Sequence, residues 1–356
     1  MPAMRNMRED AQIIINKTIE AVMPEKAVLA ALSKKKVDSD GELYLIAIGK
    51  AAYSMASAAK KALGDKITGG IVITKYGHAR ENIGGLTIIE AGHPIPDENS
   101  IKGTQAVLDM TANLADNDEV LFLISGGGSG DRLDFIASGP AYHDSSTTEE
   151  VLNVVKKYNL EFEPHIIEKL KIDTPKIIGN TESVVIGSVG ILCREAANAA
   201  RELGYEPFIL CSTLSCEARE GGRFLAAVAK EIQSGVNDKF TKPCAIIVGG
   251  ETVVTVKGNG KGGRNQEFAL AAADLIDGYS DTVIFSVGSD GTDGPTDAAG
   301  GIVDGDTKQN LLNKGIKISD VLNNNDSYNA LKQINNLVIT GATGTNVNDF
   351  AVLLCR

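Results

Sequence analysis

The sequence predicts an α/β fold in which strands and helices alternate along the chain. Short apolar runs of strand length, such as residues 43–48 and 120–124, are followed by segments with apolar residues at helical spacing. Glycine-rich loops stand where several of these runs end. A chain of 356 residues with 43% hydrophobic residues can bury a large core, and its length favours two domains.

The individual elements follow from local patterns. Residues 10–32 predict two helices broken at Pro24, and the strand at 43–48 leads into a helix that reaches about residue 63. Asp97 is predicted to cap a helix from Ser100 onward. Further strands are predicted at residues 71–74, 86–90, 120–124, 180–187, 207–210, 245–248, 251–256, 282–287, 337–340 and 350–354, and further helices at 149–158, 192–203, 216–233 and 264–276. This alternation is typical of a Rossmann-like, doubly wound and mostly parallel sheet.

A polar stretch at residues 234–242, followed by Pro243, is the best candidate for a domain boundary. It predicts a larger N-terminal domain over residues 1–240 and a smaller α/β domain over residues 241–356. Polar loops at several strand ends are expected to meet at one edge of the sheet, where open α/β sheets bind their ligands.

Composition excludes several classes of function. The formal net charge of -11 and the lack of Lys/Arg runs argue against nucleic-acid binding, so an anionic ligand needs a locally basic site. Five cysteines without a CxxC pair and only four histidines make a disulfide framework or a structural zinc improbable. No apolar run of 18 residues and no signal peptide is found, so we expect a cytoplasmic protein that is not in a membrane. An exposed sheet edge allows a monomer or a homodimer.

The segment 249–270 contains a glycine cluster directly before a helix. Unpaired N–H groups at such a place can bind an anion, and Arg264 and Asn265 at the helix start add a cation and an amide. A glycine-rich hairpin or a flexible surface loop is the alternative. The cluster also contains a GxGxxG pattern, which favours a nicotinamide-dependent hydroxy-acid oxidoreductase as a second function. The cluster consists of Gly258, Gly260, Lys261, Gly262 and Gly263, of which Gly258, Gly260 and Gly263 form the GxGxxG pattern.

Other strand ends carry further candidates. Lys50 stands at the turn after the strand 43–48, either as a solvated surface charge or as a phosphate or carboxylate contact. His93 is either a loop histidine held by packing or a ligand contact. A second candidate anion cradle follows the strand 120–124, with a flexible linker as the alternative, and consists of Ser125, Gly126, Gly127, Gly128 and Ser129.

Three acids lie among glycines after the strand 282–287, at Asp290, Asp293 and Asp297. They can bind a divalent ion, or they can form an Asx-turn loop. Glu251, at the start of the predicted strand 251–256, and Asn346, in a loop rich in Gly, Thr and Asn after the strand 337–340, complete the set of candidate binding residues.

Seven stretches together resemble the glycerate 2-kinase family, whose C-terminal module is called MOFRL. They are IGKAA at 48–52, GHPIPDENS at 92–100, SGGGS at 125–129, IASGP at 136–140, GGETVVTVKGNGKGGRNQEFAL at 249–270, SDGTDGPTDAAGG at 289–301 and TGATGTNVNDF at 340–350. The resemblance implies phosphorylation of D-glycerate at its 2-hydroxyl by ATP with Mg²⁺, in the cleft between the domains. It also implies that Lys50 and Arg264 are the basic catalytic residues and that SGGGS binds phosphate.

The sequence departs from this family at one place. In the family several dozen residues separate SGGGS from the GD that precedes IASGP, whereas here Gly130 and Asp131 follow Ser129 at once. Either the protein lacks this segment, in which case we expect a sheet that lacks a strand and a site that lacks an acid, or the segment is absent only from the printed sequence. A homologue that binds its ligands but turns over poorly is the third functional alternative.

Overall fold

The protein is described by a computed structural model that covers residues 6–34, 37, 40–93, 95–126, 146–174, 176–236 and 239–356. Its helices are α1 Met7–Ala21, α2 Pro24–Lys34, α3 Ala52–Leu63, α4 Glu98–Thr111, α5 Thr148–Lys157, α6 Pro164–Leu170, α7 Val189–Glu202, α8 Ala218–Ser234, α9 Arg264–Leu275, α10 Thr307–Leu312, α11 Ile318–Asn323 and α12 Ser327–Gln333. Its strands are β1 Leu43–Ile48, β2 Ile67–Lys75, β3 Leu86–Ala91, β4 Glu119–Ile124, β5 Glu206–Leu214, β6 Cys244–Gly250, β7 Thr282–Gly288, β8 Gly300–Asp304, β9 Leu337–Val338 and β10 Asp349–Cys355. None of the described helices combines the length and apolar character needed to cross a membrane.

The first sheet has four parallel strands in the order β3-β2-β1-β4. Leu45 and Val72 pack with Ala56 of α3 in one core, and α4 packs against β2 and β3. Strand order reverses between β1 and β4, so the turn after β1 lies at the switch point of the sheet. In open α/β sheets this is where a crevice for ligands forms.

The second sheet has six strands in the order β5-β6-β10-β7-β8-β9. Helices α1 and α7 cover one of its faces, and α8 and α9 cover the other. The predicted α/β class is confirmed, but this sheet is largely antiparallel, because only the β5–β6 pair runs parallel. The chain passes from β9 to β10 without a helix. Two parallel strands of one sheet need a crossover connection, usually a helix, between them, so β10 runs in the opposite direction to β9.

Two predicted strands are wrong. Residues 180–187 form no strand, and residues 251–256 form only an isolated bridge between Val253 and Glu217. The chain leaves the sheet after Gly250 because it pairs with the loop before α8, where Val253 N donates to Cys216 O at 2.9 Å. Strand β8 was not predicted, since its glycines lack strand propensity.

The predicted boundary at residue 240 does not separate the two sheets. Strand β5, helices α7 and α8, and the N-terminal helix α1 all precede residue 240 and pack on the six-stranded sheet. As a division of the chain into domains, 1–240 and 241–356 stays a prediction.

Helices α8 and α9 pack so closely that their contact requires glycine. A Cβ at Gly222 would lie 2.0 Å from the carbonyl oxygen of Phe268. Gly222→Ala should therefore lower the free energy of unfolding by about 1–3 kcal/mol, as overpacked cores do, whereas glycine to alanine in an exposed helix is stabilising. Urea denaturation measures the change. Gly190→Ala is the control, because its nearest neighbours lie 3.7 Å away, and an equal loss in both variants would contradict this account.

Candidate active site

Lys50 is held at the switch point by the backbone around it. Gly49 has a φ of +108°, and a Cβ there would lie 1.8 Å from the carbonyl oxygen of Ser125, so only glycine fits. The Ser125 hydroxyl accepts a hydrogen bond from Ala51 N at 2.8 Å. The ends of β1 and β4 are thereby fastened together, and Lys50 projects from this junction.

Lys50 connects the two sheets. Its Nζ donates to Oδ2 of Asp290 at 3.1 Å, and the two side chains are 24% and 20% exposed. Asp290 follows β7 of the six-stranded sheet, and its Oδ1 accepts from Thr292 N at 3.0 Å. Two of the predicted site residues, 240 positions apart in the chain, thus form one ion pair.

Arg264, the first residue of α9, forms a second ion pair. Its Nε donates to Oδ2 of Asp349 at 2.5 Å, its Nη2 donates to Oδ1 at 3.0 Å, and Glu251 Oε1 lies 3.7 Å from Nη2. Burial alone would lower the pKa of the guanidinium, but the pair with Asp349 raises it above its usual range. Arg264 is therefore a permanent cation, with its side chain 35% exposed.

Asp349 was not among the predicted site residues. It begins β10, and the antiparallel register places it opposite both Gly250 and Gly288. The only sequence signal was an acid directly before a buried apolar strand, and the neighbour of that strand could not be foreseen from local pattern.

The two ion pairs converge on Gly288, the last residue of β7. A Cβ at Gly288 would lie 3.3 Å from Oδ1 of Asp349 and 3.4 Å from Oδ1 of Asp290. One cation from each sheet, each paired with a carboxylate, therefore meets at a single place. A phosphate or carboxylate ligand can replace these carboxylates, because Arg and Lys bind such groups by charge-assisted hydrogen bonds.

The glycine cluster does not form an open anion cradle. Lys257 N and Gly258 N donate to Oδ1 of Asn325 at 2.8 and 3.0 Å, and Lys261 N donates to Oδ1 of Asp326 at 2.8 Å. Gly260 N donates to the carbonyl oxygen of Asn324 at 2.9 Å. These four N–H groups are satisfied within the protein and are not open to a dinucleotide pyrophosphate, so the oxidoreductase alternative loses support.

The glycines instead allow close packing. A Cβ at Gly260 would lie 2.4 Å from Asp326 Cβ, and one at Gly262 would lie 2.2 Å from Ser327 Oγ. Lys261 lies over the ring of Tyr328, with its Nζ 4.6 Å from the ring centroid. The alternative of a flexible loop therefore also differs from the structure, in which the segment is packed.

Asp293 occupies the helix start that was predicted to bind a ligand. Its carboxylate accepts from Asn265 N at 3.2 Å and from Gln266 N at 2.9 Å, and so caps α9. Burial raises the pKa of Asp293 to about 7, although these two hydrogen bonds act in the opposite direction. The Asn265 side chain is buried and accepts from Ser286 Oγ at 2.6 Å, so it faces the core.

The three acids predicted to bind a metal are not gathered at one point. Asp290 pairs with Lys50, Asp293 caps α9, and Asp297 accepts from the Tyr328 hydroxyl at 2.6 Å. Within the described part of the chain, no three His, Cys, Asp or Glu side chains are grouped to hold a metal ion. Of this set, Asp290 is the acid that pairs with Lys50, and Asp293 is the acid whose charge acts on Arg264.

The remaining predicted residues lie around this centre or outside the described residues. Burial, and then the charges of Lys50, Lys75 and His78, lower the pKa of His93. Asn346 is half-buried in a loop whose Val347 N donates to Ser289 Oγ at 2.9 Å. Gly126 is described, with a φ of +108°. Gly127, Gly128 and Ser129 lie outside the described residues.

Comparisons with known proteins agree with this architecture. Residues 10–130 and 129–171 match the family described as "Domain of unknown function (DUF4147)", and residues 244–349 match the MOFRL family. A D-glycerate 2-kinase of Thermotoga maritima is 44% identical to this chain, over 95% of this chain and 96% of that protein.

The chain belongs to the glycerate 2-kinase family.

Two further relatives support this membership of the glycerate 2-kinase family. A crystal structure of a glycerate kinase from Thermotoga maritima superimposes with a TM-score of 0.92 at 42% identity, covering 98% of this chain and 99% of that one. A glycerate 2-kinase of Pyrococcus horikoshii is 34% identical over 98% of this chain and 97% of that protein. The fold similarity therefore extends over both sheets.

The alignment also shows that this chain is shorter than its relative. It spans 405 positions, whereas 95% of the 356 residues is about 338, so about 67 aligned positions have no residue of this chain. The two segments that match DUF4147 adjoin at residues 129 and 130. This is where the family motifs predict the lost segment.

Proposed function

We propose that this protein is a glycerate 2-kinase that transfers the γ-phosphoryl group of ATP to the 2-hydroxyl of D-glycerate. The products are 2-phosphoglycerate and ADP. The observation that carries the proposal is the convergence of the Lys50–Asp290 and Arg264–Asp349 pairs on Gly288. Membership of the family supports the proposed reaction, and this geometry supports the proposal that Lys50 and Arg264 act in it.

Phosphoryl transfer needs positioning and charge neutralisation more than covalent chemistry by the protein. Both substrates are anionic, and the site offers one cation from each sheet. Arg264 can bind two oxygens of one group because its guanidinium is planar, whereas Lys50 supplies a point charge. The carboxylates of Asp290 and Asp349 hold these cations in place, and anionic substrates would compete with them for Lys50 and Arg264.

Mg²⁺ accompanies ATP in this proposal. It prefers oxygen ligands, and it commonly binds through one or two carboxylates together with substrate phosphates and water. Asp290 fits this requirement, since its carboxylate lies at the site and is 20% exposed. The ion would neutralise phosphate charge, while Lys50 and Arg264 orient the reacting groups.

The direct test is a coupled ADP-release assay with ATP, Mg²⁺ and D-glycerate, followed by ³¹P NMR of the product. We expect ADP release that depends on D-glycerate, and a phosphomonoester at the 2-position. L-Glycerate is the control substrate. No D-glycerate-dependent ADP release, together with no calorimetric binding of D-glycerate or ADP, would refute the proposal.

The loss of about 67 aligned positions favours a second candidate, a homologue that binds both substrates but turns over slowly. Strand β4, which ends directly before the junction, is at the edge of its sheet, and Phe122 on it is 37% exposed. A segment that covers this edge in the relatives would also support Ser125, whose hydroxyl contacts the turn that carries Lys50.

A chimera decides between full and reduced turnover. The Thermotoga maritima segment that this chain lacks is inserted between Ser129 and Gly130, and kcat is compared with that of the 356-residue chain. If the loss impairs catalysis, we expect the chimera to have a kcat higher by about tenfold or more, equal to about 1.4 kcal/mol in the barrier, with similar affinity for D-glycerate. Equal kcat values in two folded proteins would exclude the slow homologue.

A further inference from the structure

Basic residues end three neighbouring strands of the four-stranded sheet. Lys50 follows β1, Lys75 is the last residue of β2, and His93 lies two positions beyond β3. The strands are parallel, and Lys75 pairs in register with Ala91, so these ends adjoin at one edge. Lys50 and Lys75 thus bring two cations, and His93 brings an imidazole, to one edge of the sheet beside the proposed active site.

Lys75 differs from Lys50 in having no carboxylate of its own. Lys50 pairs with Asp290 at 3.1 Å, whereas the side chain of the half-buried Lys75 has no hydrogen bond or ion pair to any other residue that the structure describes. The described acids thus leave the Lys75 side chain able to bind an anion from solution by a charge-assisted hydrogen bond.

The nearest acids on this side of the sheet are already engaged. Glu90 Oε1 accepts from Ala79 N at 3.0 Å, and Asp97 accepts from the Tyr76 hydroxyl at 2.6 Å and from Ser100 N at 3.0 Å. They act in local structure, as a loop contact and as the cap of α4. No internal partner for Lys75 is provided by these carboxylates.

The pKa of His93 indicates that the charges of several basic residues act on one imidazole. Its pKa is lowered by burial and then by the charges of Lys50, Lys75 and His78. His78 itself is fixed, because its Nδ1 lies 3.0 Å from the carbonyl oxygen of Lys50. The loop after β2 is thereby tied to the turn that carries Lys50, and the loop after β3 lies beside both.

We propose that Lys75 is a third cation of the active site, and that with Lys50 and His93 it binds an oxyanion of a substrate. The oxyanion is either the carboxylate of a hydroxy acid or a phosphate of a nucleotide. Lys75 binds and does not take part in the chemistry, so its loss affects affinity more than kcat. The choice of these two substrates rests on the proposed function, whereas the oxyanion site itself rests on the strand ends.

The test compares Lys75→Met with Lys61→Met. Lys61 is exposed in the last turn of α3, at the end of the four-stranded sheet where its strands begin. Its replacement therefore removes the same charge at a distance from the proposed site. Calorimetry gives the Kd for D-glycerate, ADP and orthophosphate, and steady-state rates give kcat and KM. Circular dichroism and Tm establish that both variants are folded, and Lys75→Arg restores the cation.

We expect Lys75→Met to raise the Kd of one substrate about tenfold, as the loss of one charge-assisted contact does, with the other substrate and Lys61→Met within about twofold. A selective effect on D-glycerate assigns the carboxylate, and one on ADP assigns a phosphate. Lys75→Arg should recover most of the affinity.

Affinities in Lys75→Met equal to those in Lys61→Met would overturn the inference while leaving the kinase proposal intact. The opposite failure is equally visible. A wild-type protein that does not phosphorylate D-glycerate, but binds orthophosphate more weakly after Lys75→Met, would retain the oxyanion site and refute the proposed reaction.

Discussion

Arg264→Ala should lower kcat/KM for D-glycerate phosphorylation by about 30-fold to 1000-fold, or about 2–4 kcal/mol in transition-state stabilisation. The variant loses a two-point hydrogen-bond donor, and it also leaves the buried Asp349 carboxylate unpaired beside an anionic substrate. Initial rates at several D-glycerate concentrations measure the effect. Arg264→Lys should recover only part of the loss, because an ammonium cannot bind two oxygens in the same plane.

A matched control distinguishes catalysis from stability. Arg219 of α8 also pairs with a buried carboxylate, since its Nε donates to Glu267 Oε1 at 3.0 Å, and its Nη2 donates to Leu322 O at 2.9 Å. Arg219→Ala should lower Tm but keep kcat/KM per folded molecule within about twofold, because Arg219 binds Glu267 and Leu322 rather than the carboxylates of Asp290 and Asp349. Equal kcat/KM values for Arg264→Ala and the wild-type protein would remove Arg264 from the mechanism.

Lys50→Ala should have an effect of similar size, about 2–4 kcal/mol in kcat/KM. Lys50 follows β1 of the four-stranded sheet. Its Nζ lies 3.1 Å from Oδ2 of Asp290, which follows β7 of the six-stranded sheet. The loss should appear in both kcat and KM, since the lysine acts on the bound anion before and during transfer. The ADP-release assay measures it, with the exposed Lys61 again replaced as the control.

Asp290→Asn tests the same pair from its other side. Without Mg²⁺, orthophosphate should bind more tightly to Asp290→Asn than to the wild-type protein, because Lys50 no longer has a competing carboxylate. The double variant Lys50→Ala, Asp290→Asn should lose this gain. Weaker binding to Asp290→Asn than to wild type would show that the carboxylate does not hold Lys50 back from anions.

Local sequence patterns predicted those parts of the fold that depend on neighbouring residues. The limits of β1 agree with its apolar run, and Asp97 caps α4 through Ser100 as its spacing indicated. Lys50 and Arg264 were predicted as site residues by the same reasoning, since both stand at turns that lead into helices. Such positions are recognisable without knowledge of what packs against them.

The partners of those cations could not be predicted in the same way. Asp349 is 85 positions from Arg264, and it reaches the site only because β10 inserts antiparallel between β6 and β7. Asp293 caps α9 from 28 positions further along the chain. The glycine cluster suggested open N–H groups because its acceptors, at residues 324–326, belong to a distant loop.

The position of β10 determines when the site can form during synthesis. Residues 349–355 are made after all the other strands, yet they form an inner strand of the six-stranded sheet. On a ribosome β6 and β7 emerge without the strand that joins them, and Arg264 emerges without Asp349. The six-stranded sheet therefore cannot be completed before β10 has left the exit tunnel, and a nascent chain that stops before residue 349 contains Lys50 and Arg264 but lacks Asp349 and the strand that joins β6 to β7.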